Sequence, residues 1–181
     1  MDLKSSCFRV FIMEVTITCG PDTYHVKKDL LIAKSSFFAT AFNIDIKKKR
    51  EDGIEIHGIK SETFKKVIDY ILKNILENKF DITEMLEAAN FFNMETLKQD
   101  ITNAVRSDIT TNNVMELANL GEIFNSDTLL KVCAEFIIEN ENSIMLTRNY
   151  VIRNPDLVLM LLAEKEKIMA DMVQQFSNRR L

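Results

Sequence analysis

VTITCGPDTYHV, Val15 to Val26, runs almost directly into LLIAKSSFFATAF, Leu30 to Phe42, and the pair reads as a β-hairpin feeding an apolar helix. Val15, Ile17 and Cys19 alternate with Thr16 and Thr18, the period of two that a strand shows when one face is buried. Gly20-Pro21-Asp22 supplies turn chemistry, and Tyr24 and Val26 continue the return strand.

Working outward, Ile54-Glu55-Ile56 between Gly53 and Gly58 predicts a third short strand. Phe64, Val67, Ile68, Ile71 and Leu72 fall on one stripe of a helix starting near Ser61. Asp81 and Glu84 have the spacing of a capping box, which predicts a helix through MLEAANFF to about Met94. Leu97, Ile101, Ala104, Val105 and Ile109 make the next stripe, ending before the polar cluster Thr110 to Asn113, where the main boundary is placed. Beyond it, Asn113 and Glu116 repeat the capping-box spacing ahead of Val114, Leu117 and Ala118. Ser126 is expected to cap a helix that buries Leu129, Val132, Cys133, Phe136 and Ile137. Asn154-Pro155 signals one more helix start, because proline at the first helical position lacks an N–H that would have no partner there. The fold class is therefore α+β in the first part and all-α in the second.

With 181 residues, 46% of them hydrophobic, the chain can bury a substantial core. A net charge of -4, from 23 basic and 27 acidic residues, argues against a broad nucleic-acid surface. Cys7, Cys19 and Cys133 are odd in number and lack metal spacing, which fits a reducing compartment, cytoplasmic or nuclear. Arg9 interrupts the apolar stretch from Phe8 to Met13, so no signal peptide is expected, and DLVLMLLAEKEK turns charged long before the roughly 18 apolar residues of a membrane span.

No catalytic constellation emerges. His25 and His57 stand alone, Cys19 with His25 lacks an orienting carboxylate, and Ser35-Ser36 lacks a G-x-S-x-G context. Glycines occur singly, which rules out a phosphate loop. No enzyme activity, metal or cofactor is expected. Lys47-Lys48-Lys49-Arg50 reads either as a nuclear-localisation patch or as a solvated loop balanced by Glu51 and Asp52, the latter being favoured.

Hairpin, helix, strand and paired helices in this order, with LLIAKSSFFATAF followed by IEIHGIKSETFKKVIDYIL, resemble a BTB/POZ domain over about Met13 to Ile109. The family's pattern in the first helix is matched by Leu30, Leu31, Ala33, Lys34, Ser35, Phe38 and Phe42, and MLEAANFFNMETLK resembles a later kinked helix pair. From about Thr111 to Ala163 the chain is similar to the helical tail of speckle-type POZ proteins, a partial BACK-like extension. The organisation expected is an N-terminal segment at 1–12, a BTB/POZ domain at 13–110, a helical extension at 111–163 and an amphipathic helix at 164–181. A meprin-type substrate-binding domain is not found, so an adaptor role implies client recruitment through another surface or chain.

The resemblance implies a non-catalytic interaction module that homodimerises and serves as a substrate adaptor of a cullin-RING ubiquitin ligase. The family's dimers use the N-terminal segment against the first helix of the partner, which nominates Phe8, Phe11 and Leu30, with burial inside one subunit as the alternative. Glu14 and Lys34 correspond to a charged pair at the relatives' dimer groove. A cullin-facing surface would involve Phe42, Ile46, Lys48 and Phe92. Cullin-binding members commonly carry Glu where Lys48 stands, and losing a desolvated charge-assisted bond there costs on the order of 2 to 5 kcal/mol. Phe92 replaces a tyrosine, and Leu72-Lys73-Asn74 replaces Tyr-Thr-Gly, with Asn74 still able to take the left-handed conformation. The alternative is a dimerising scaffold or competitor of related proteins that binds no cullin, including one with a transcription-regulatory role. Finally, Ile168, Met172, Val173 and Phe176 form a stripe that either packs back on the tail or fits a partner's groove.

Overall fold

The computed structural model describes residues 13–45 and 53–140, with positions 159, 163, 166, 167, 169, 170 and 174, all seven helical. The architecture is α+β, and the chain divides into two compact units, 1–75 and 76–181. The expectations at Cys7, at the basic run 47–50 and at Asn154-Pro155 lie outside the described residues.

In the first unit, β1 (Glu14–Cys19) and β2 (Asp22–Lys27) form the antiparallel hairpin, with Val15 opposite Val26 and Ile17 opposite Tyr24. Gly20 makes the turn at φ +57°, a value costly for a side chain with a Cβ. Two helices, α1 (Lys28–Lys34) and α2 (Ser36–Asp45), precede β3 (Ile54–Ile56), which returns parallel to β1, giving the strand order β2-β1-β3. Ile17, Cys19, Val26 and Ile56 are buried on one face of this mixed sheet. Gly53 admits β3 because a Cβ there would lie 2.2 Å from the Thr16 carbonyl oxygen.

The expected single helix from Leu30 to Phe42 is two helices. Ser35 adopts extended backbone (φ -144°, ψ 120°), and its buried hydroxyl accepts from the Phe38 N–H at 3.3 Å. The serine thus caps a new helix instead of continuing the old one, the competition that short polar side chains offer to helical backbone. Past the break, Phe38 and Phe42 stack with centroids 6.2 Å apart and enter the core.

Helix α3 (Ser61–Lys73) buries Phe64, Val67, Ile68 and Ile71 as its periodicity predicts, and Phe64 meets Tyr24 edge-on at 5.4 Å. Leu72 departs from the expected stripe: it is exposed, and Tyr70 is buried instead. The helix ends at Asn74, left-handed at φ 54° and ψ 34°, whose N–H donates to the Tyr70 carbonyl.

The second unit contains α4 (Ile82–Phe91), α5 (Glu95–Val105), a 3-10 turn (Arg106–Asp108), α6 (Val114–Ile123) and α7 (Asp127–Glu139). The Asp81 carboxylate accepts from the Glu84 N–H at 2.9 Å, the expected N-cap. Helix α4 stops at Phe91, short of Met94, because left-handed Asn93 (φ 50°) closes it, with Asn93 N–H bonded to the Asn90 carbonyl and Met94 N–H to the Ala89 carbonyl. Asn125 (φ 50°) closes α6 with the same pair of bonds, Asn125 N–H to Glu122 and Ser126 N–H to Gly121.

Two expected caps take other forms. Ser126 precedes α7, but its hydroxyl makes no cap bond; its backbone completes the end of α6 and its side chain lies 3.4 Å from the Thr128 hydroxyl. Asn113 precedes α6, yet its carboxamide accepts from Thr110 N–H and donates to the Asp108 carbonyl, bracing the connection before the helix. On α5, Leu97, Ile101 and Val105 are buried with Lys98 and Thr102, whereas Ala104 is exposed and buried Ile109 lies beyond the helical turns. Leu129, Cys133 and Ile137 of α7 are buried, while Val132 and Phe136 are half-buried.

Lys98 has a side chain only 3% exposed. It donates to Asn90 Oδ1 at 3.1 Å and the Asn125 carbonyl at 3.0 Å, and pairs with Glu95 Oε1 at 3.0 Å. These three partners match its three protons, so one buried cation ties the end of α4 and the α6–α7 turn to α5.

Candidate docking face

Helix α1 exposes two large apolar side chains. It places Leu31 in the core at 0% exposure and leaves Leu30 and Ile32, flanking it on the helix wheel, 36% and 37% exposed. Leu30 is therefore not sequestered inside its own subunit. The Lys28 N–H donates to the Met13 carbonyl at 2.9 Å, bringing exposed Met13 and neighbouring Glu14 to the first turn of α1. At the last turn, Lys34 Nζ donates to Asn74 Oδ1 and lies 6.0 Å from the Tyr70 ring centroid. An acid and a base thus mark opposite ends of an apolar strip.

The candidates for a cullin-facing surface fall elsewhere. Phe42 is 7% exposed, stacked on Phe38 and roofed by Lys28 Nζ at 4.9 Å from its centroid, so it is a core residue. Phe92 is fully buried; its neighbour Phe91, edge-on at 4.9 Å, is the ring that reaches solvent. The helical period gave no sign of which phenylalanine would point inward, since the left-handed turn at Asn93 reorients the end of α4. Phe8, Phe11, Ile46, Lys48, Ile168, Met172, Val173 and Phe176 lie outside the described residues or have side chains that do.

Among the described residues, no group of three or more His, Cys, Asp or Glu side chains could hold a metal ion. His25 faces Thr16 across the hairpin at 3.3 Å, whereas Cys19 points into the core and donates weakly to the Ile59 carbonyl at 3.5 Å. The two do not meet. Burial, aided by Asp22, raises the Cys19 thiol's pKa, and burial pushes Cys133 up to about 12, so both stay protonated and unreactive at neutral pH. A groove of about 290 Å³ runs between α5 and α7, lined by Gln99, Asn103 and Lys131 among others, and is crossed by the Arg106–Glu135 ion pair at 2.9 Å. No described helix is long and apolar enough to cross a membrane.

The family model for the BTB/POZ domain matches residues 5–108, more than half of the chain. The chain belongs to the BTB/POZ family. It is 27% identical over 130 residues to the Arabidopsis thaliana protein named "ARM repeat protein interacting with ABF2", covering 71% of this chain and 18% of that protein. It is 24% identical over 166 residues to "BTB and MATH domain-containing protein 40" of Caenorhabditis elegans, covering 85% of this chain and 41% of that one. Among solved structures, the BTB domain of zebrafish PATZ1 matches 51% of this chain and 75% of its own, at 19% identity and a TM-score of 0.45. This BTB/POZ chain spans less than half the length of the curated relatives it matches. The family is one of protein-interaction modules, and in this member the exposed apolar residues on and around α1 form the candidate docking face.

Proposed function

We propose that this BTB/POZ chain is a non-catalytic interaction module that pairs with a second copy of itself through α1. The observation that carries the proposal is the exposed pair Met13 and Leu30, with Glu14 at one end and Lys34, one turn beyond Leu30 on the same side of α1, at the other. Under a two-fold axis, Glu14 of each copy faces Lys34 of the other, and Leu30 is covered. The ion pair adds about 0 to 1 kcal/mol and mainly sets direction; burial of the apolar side chains supplies the affinity. Light scattering tests this: wild type should be dimeric and Leu30→Asp monomeric, whereas equal masses would overturn it.

For the second partner, the family resemblance supports an adaptor of a cullin-RING ubiquitin ligase acting in the cytoplasm or nucleus. Lys48 favours a different role, a scaffold or competitor without the cullin contact, because a base stands where cullin-binding members commonly present an acid. A pull-down with a cullin N-terminal domain separates them: capture by Lys48→Glu alone supports the scaffold, and strong capture by wild type supports the adaptor. The proposed organisation is a domain at 13–110, an extension at 111–163 and a C-terminal stripe, Ile168, Met172, Val173 and Phe176, that either packs back on the tail or receives a further partner.

A further inference from the structure

Three asparagines, Asn74, Asn93 and Asn125, close helices in the left-handed conformation, but the residue after each meets a different fate. Met94 and Ser126 fold back, donate to a carbonyl five residues earlier, and are buried at 0% and 1%. Such closure ordinarily brings an apolar residue onto the last turn of its helix. After α3, the cap consists of the Asn74 bond to Tyr70, and Ile75 stays 66% exposed beside Leu72 at 49%. An isoleucine and a leucine are thus left in water where the two other caps seclude the residue that follows.

Their position is set by the Lys34–Asn74 hydrogen bond, which brings the end of α3 to the last turn of α1. Leu30 and Lys34 are one helical turn apart on the same side of α1. Met13, Leu30, Ile32, Leu72 and Ile75 are the exposed large hydrophobic residues among the described part of the first unit; Leu30 and Ile32 lie on α1, Met13 adjoins its first turn, and Leu72 and Ile75 flank Asn74, which is bonded to its last turn. Scattered exposed apolar residues need no explanation, whereas a clustered set marks an interaction surface.

We infer that the C-terminal tip of α3, Leu72 with Ile75, docks on a second copy of the chain and contacts Met13 there. This extends the proposed self-association through α1 and rests on it. The occupant follows from charge order along the strip: Glu14 adjoins Met13, and Lys34 adjoins the α3 tip. The two-fold that brings Glu14 to Lys34 of the other copy also brings Met13 to the other copy's Leu72 and Ile75, twice per dimer. A parallel arrangement would instead face Glu14 with Glu14 and Lys34 with Lys34.

Sedimentation of Leu72→Asp/Ile75→Asp beside wild type and Leu30→Asp tests the inference. A dimer dissociation constant raised at least about tenfold is expected, with the melting temperature of the monomeric fold unchanged because both side chains are already solvated. In a Cys7→Ser background, chains carrying Met13→Cys mixed with chains carrying Ile75→Cys should form a disulfide-linked pair under mild oxidation, more readily than either alone. If wild type dimerises and Leu30→Asp dissociates it, but the α3 variant dimerises normally and the mixed cysteines fail to link, the inference is overturned and the α1 dimer stands. A monomeric wild type at about 100 μM, far above the micromolar range of specific pairing, overturns both.

Discussion

Lys34, in the last turn of α1, donates to the side chain of Asn74, the left-handed residue that ends α3. One asparagine therefore does two things: its backbone stops a helix and its carboxamide holds the cation at the edge of the docking face. The two roles separate by substitution. Asn74→Gly keeps the left-handed turn and loses the bond to Lys34, so stability by urea denaturation should change by less than about 1 kcal/mol. Asn74→Val forces a β-branched residue to positive φ and should cost about 1 to 2 kcal/mol.

Lys98→Met should destabilise the chain by about 1 to 3 kcal/mol. The methionine fills most of the volume but leaves Asn90 Oδ1 and the Asn125 carbonyl without their buried donor. Amide exchange should rise chiefly around residues 121–128. An unchanged exchange pattern there would show that apolar packing alone fixes the α6–α7 turn.

Gly53→Ala should displace β3. The added methyl group would sit 2.2 Å from the Thr16 carbonyl oxygen, backbone that cannot yield without disturbing the β1 ladder. A loss of about 1 to 3 kcal/mol is expected in thermal or urea unfolding, a typical cost of overpacking.

Cys19 and Cys133 should resist alkylation in the folded chain, and Cys133 should set an alkaline limit to stability. Cys133 keeps its proton to about pH 12 when folded but releases it near its ordinary value of 9.0 when unfolded. Its contribution is complete below about pH 9 and is lost as pH rises towards 12, since the unfolded chain then binds fewer protons than the folded one. Reaction of Cys19 and Cys133 with iodoacetamide at pH 8 should follow the unfolding rate; rapid labelling without unfolding would contradict their burial.

Much of this fold can be read from periodicity and caps. The alternation of Val15, Ile17 and Cys19 predicts β1, the stripe from Phe64 to Ile71 predicts α3, and Asp81 predicts the start of α4. What escapes is decided by single backbone angles or by contacts distant in sequence. Nothing in LLIAKSSFFATAF says which serine will cap, and the 3.6-residue period cannot show that Ser35 breaks the helix. Leu72 fits the α3 stripe on the wheel, yet in the last turn Tyr70 and Ile71 take the buried places. Phe42 and Phe92 match family positions, yet their burial depends on Phe38, Lys28 and the turn at Asn93. Leu30, nominated from its family position, reaches solvent because Leu31 is the neighbour that faces inward.

The interruption at Ser35 divides labour along the chain. Upstream, Leu30 and Ile32 answer to whatever lies outside; downstream, Phe38 and Phe42 answer to the interior. Positions 30 and 32 can therefore drift to new preferences in mating while the aromatic stack stays as it is, a freedom that one continuous rod would not grant.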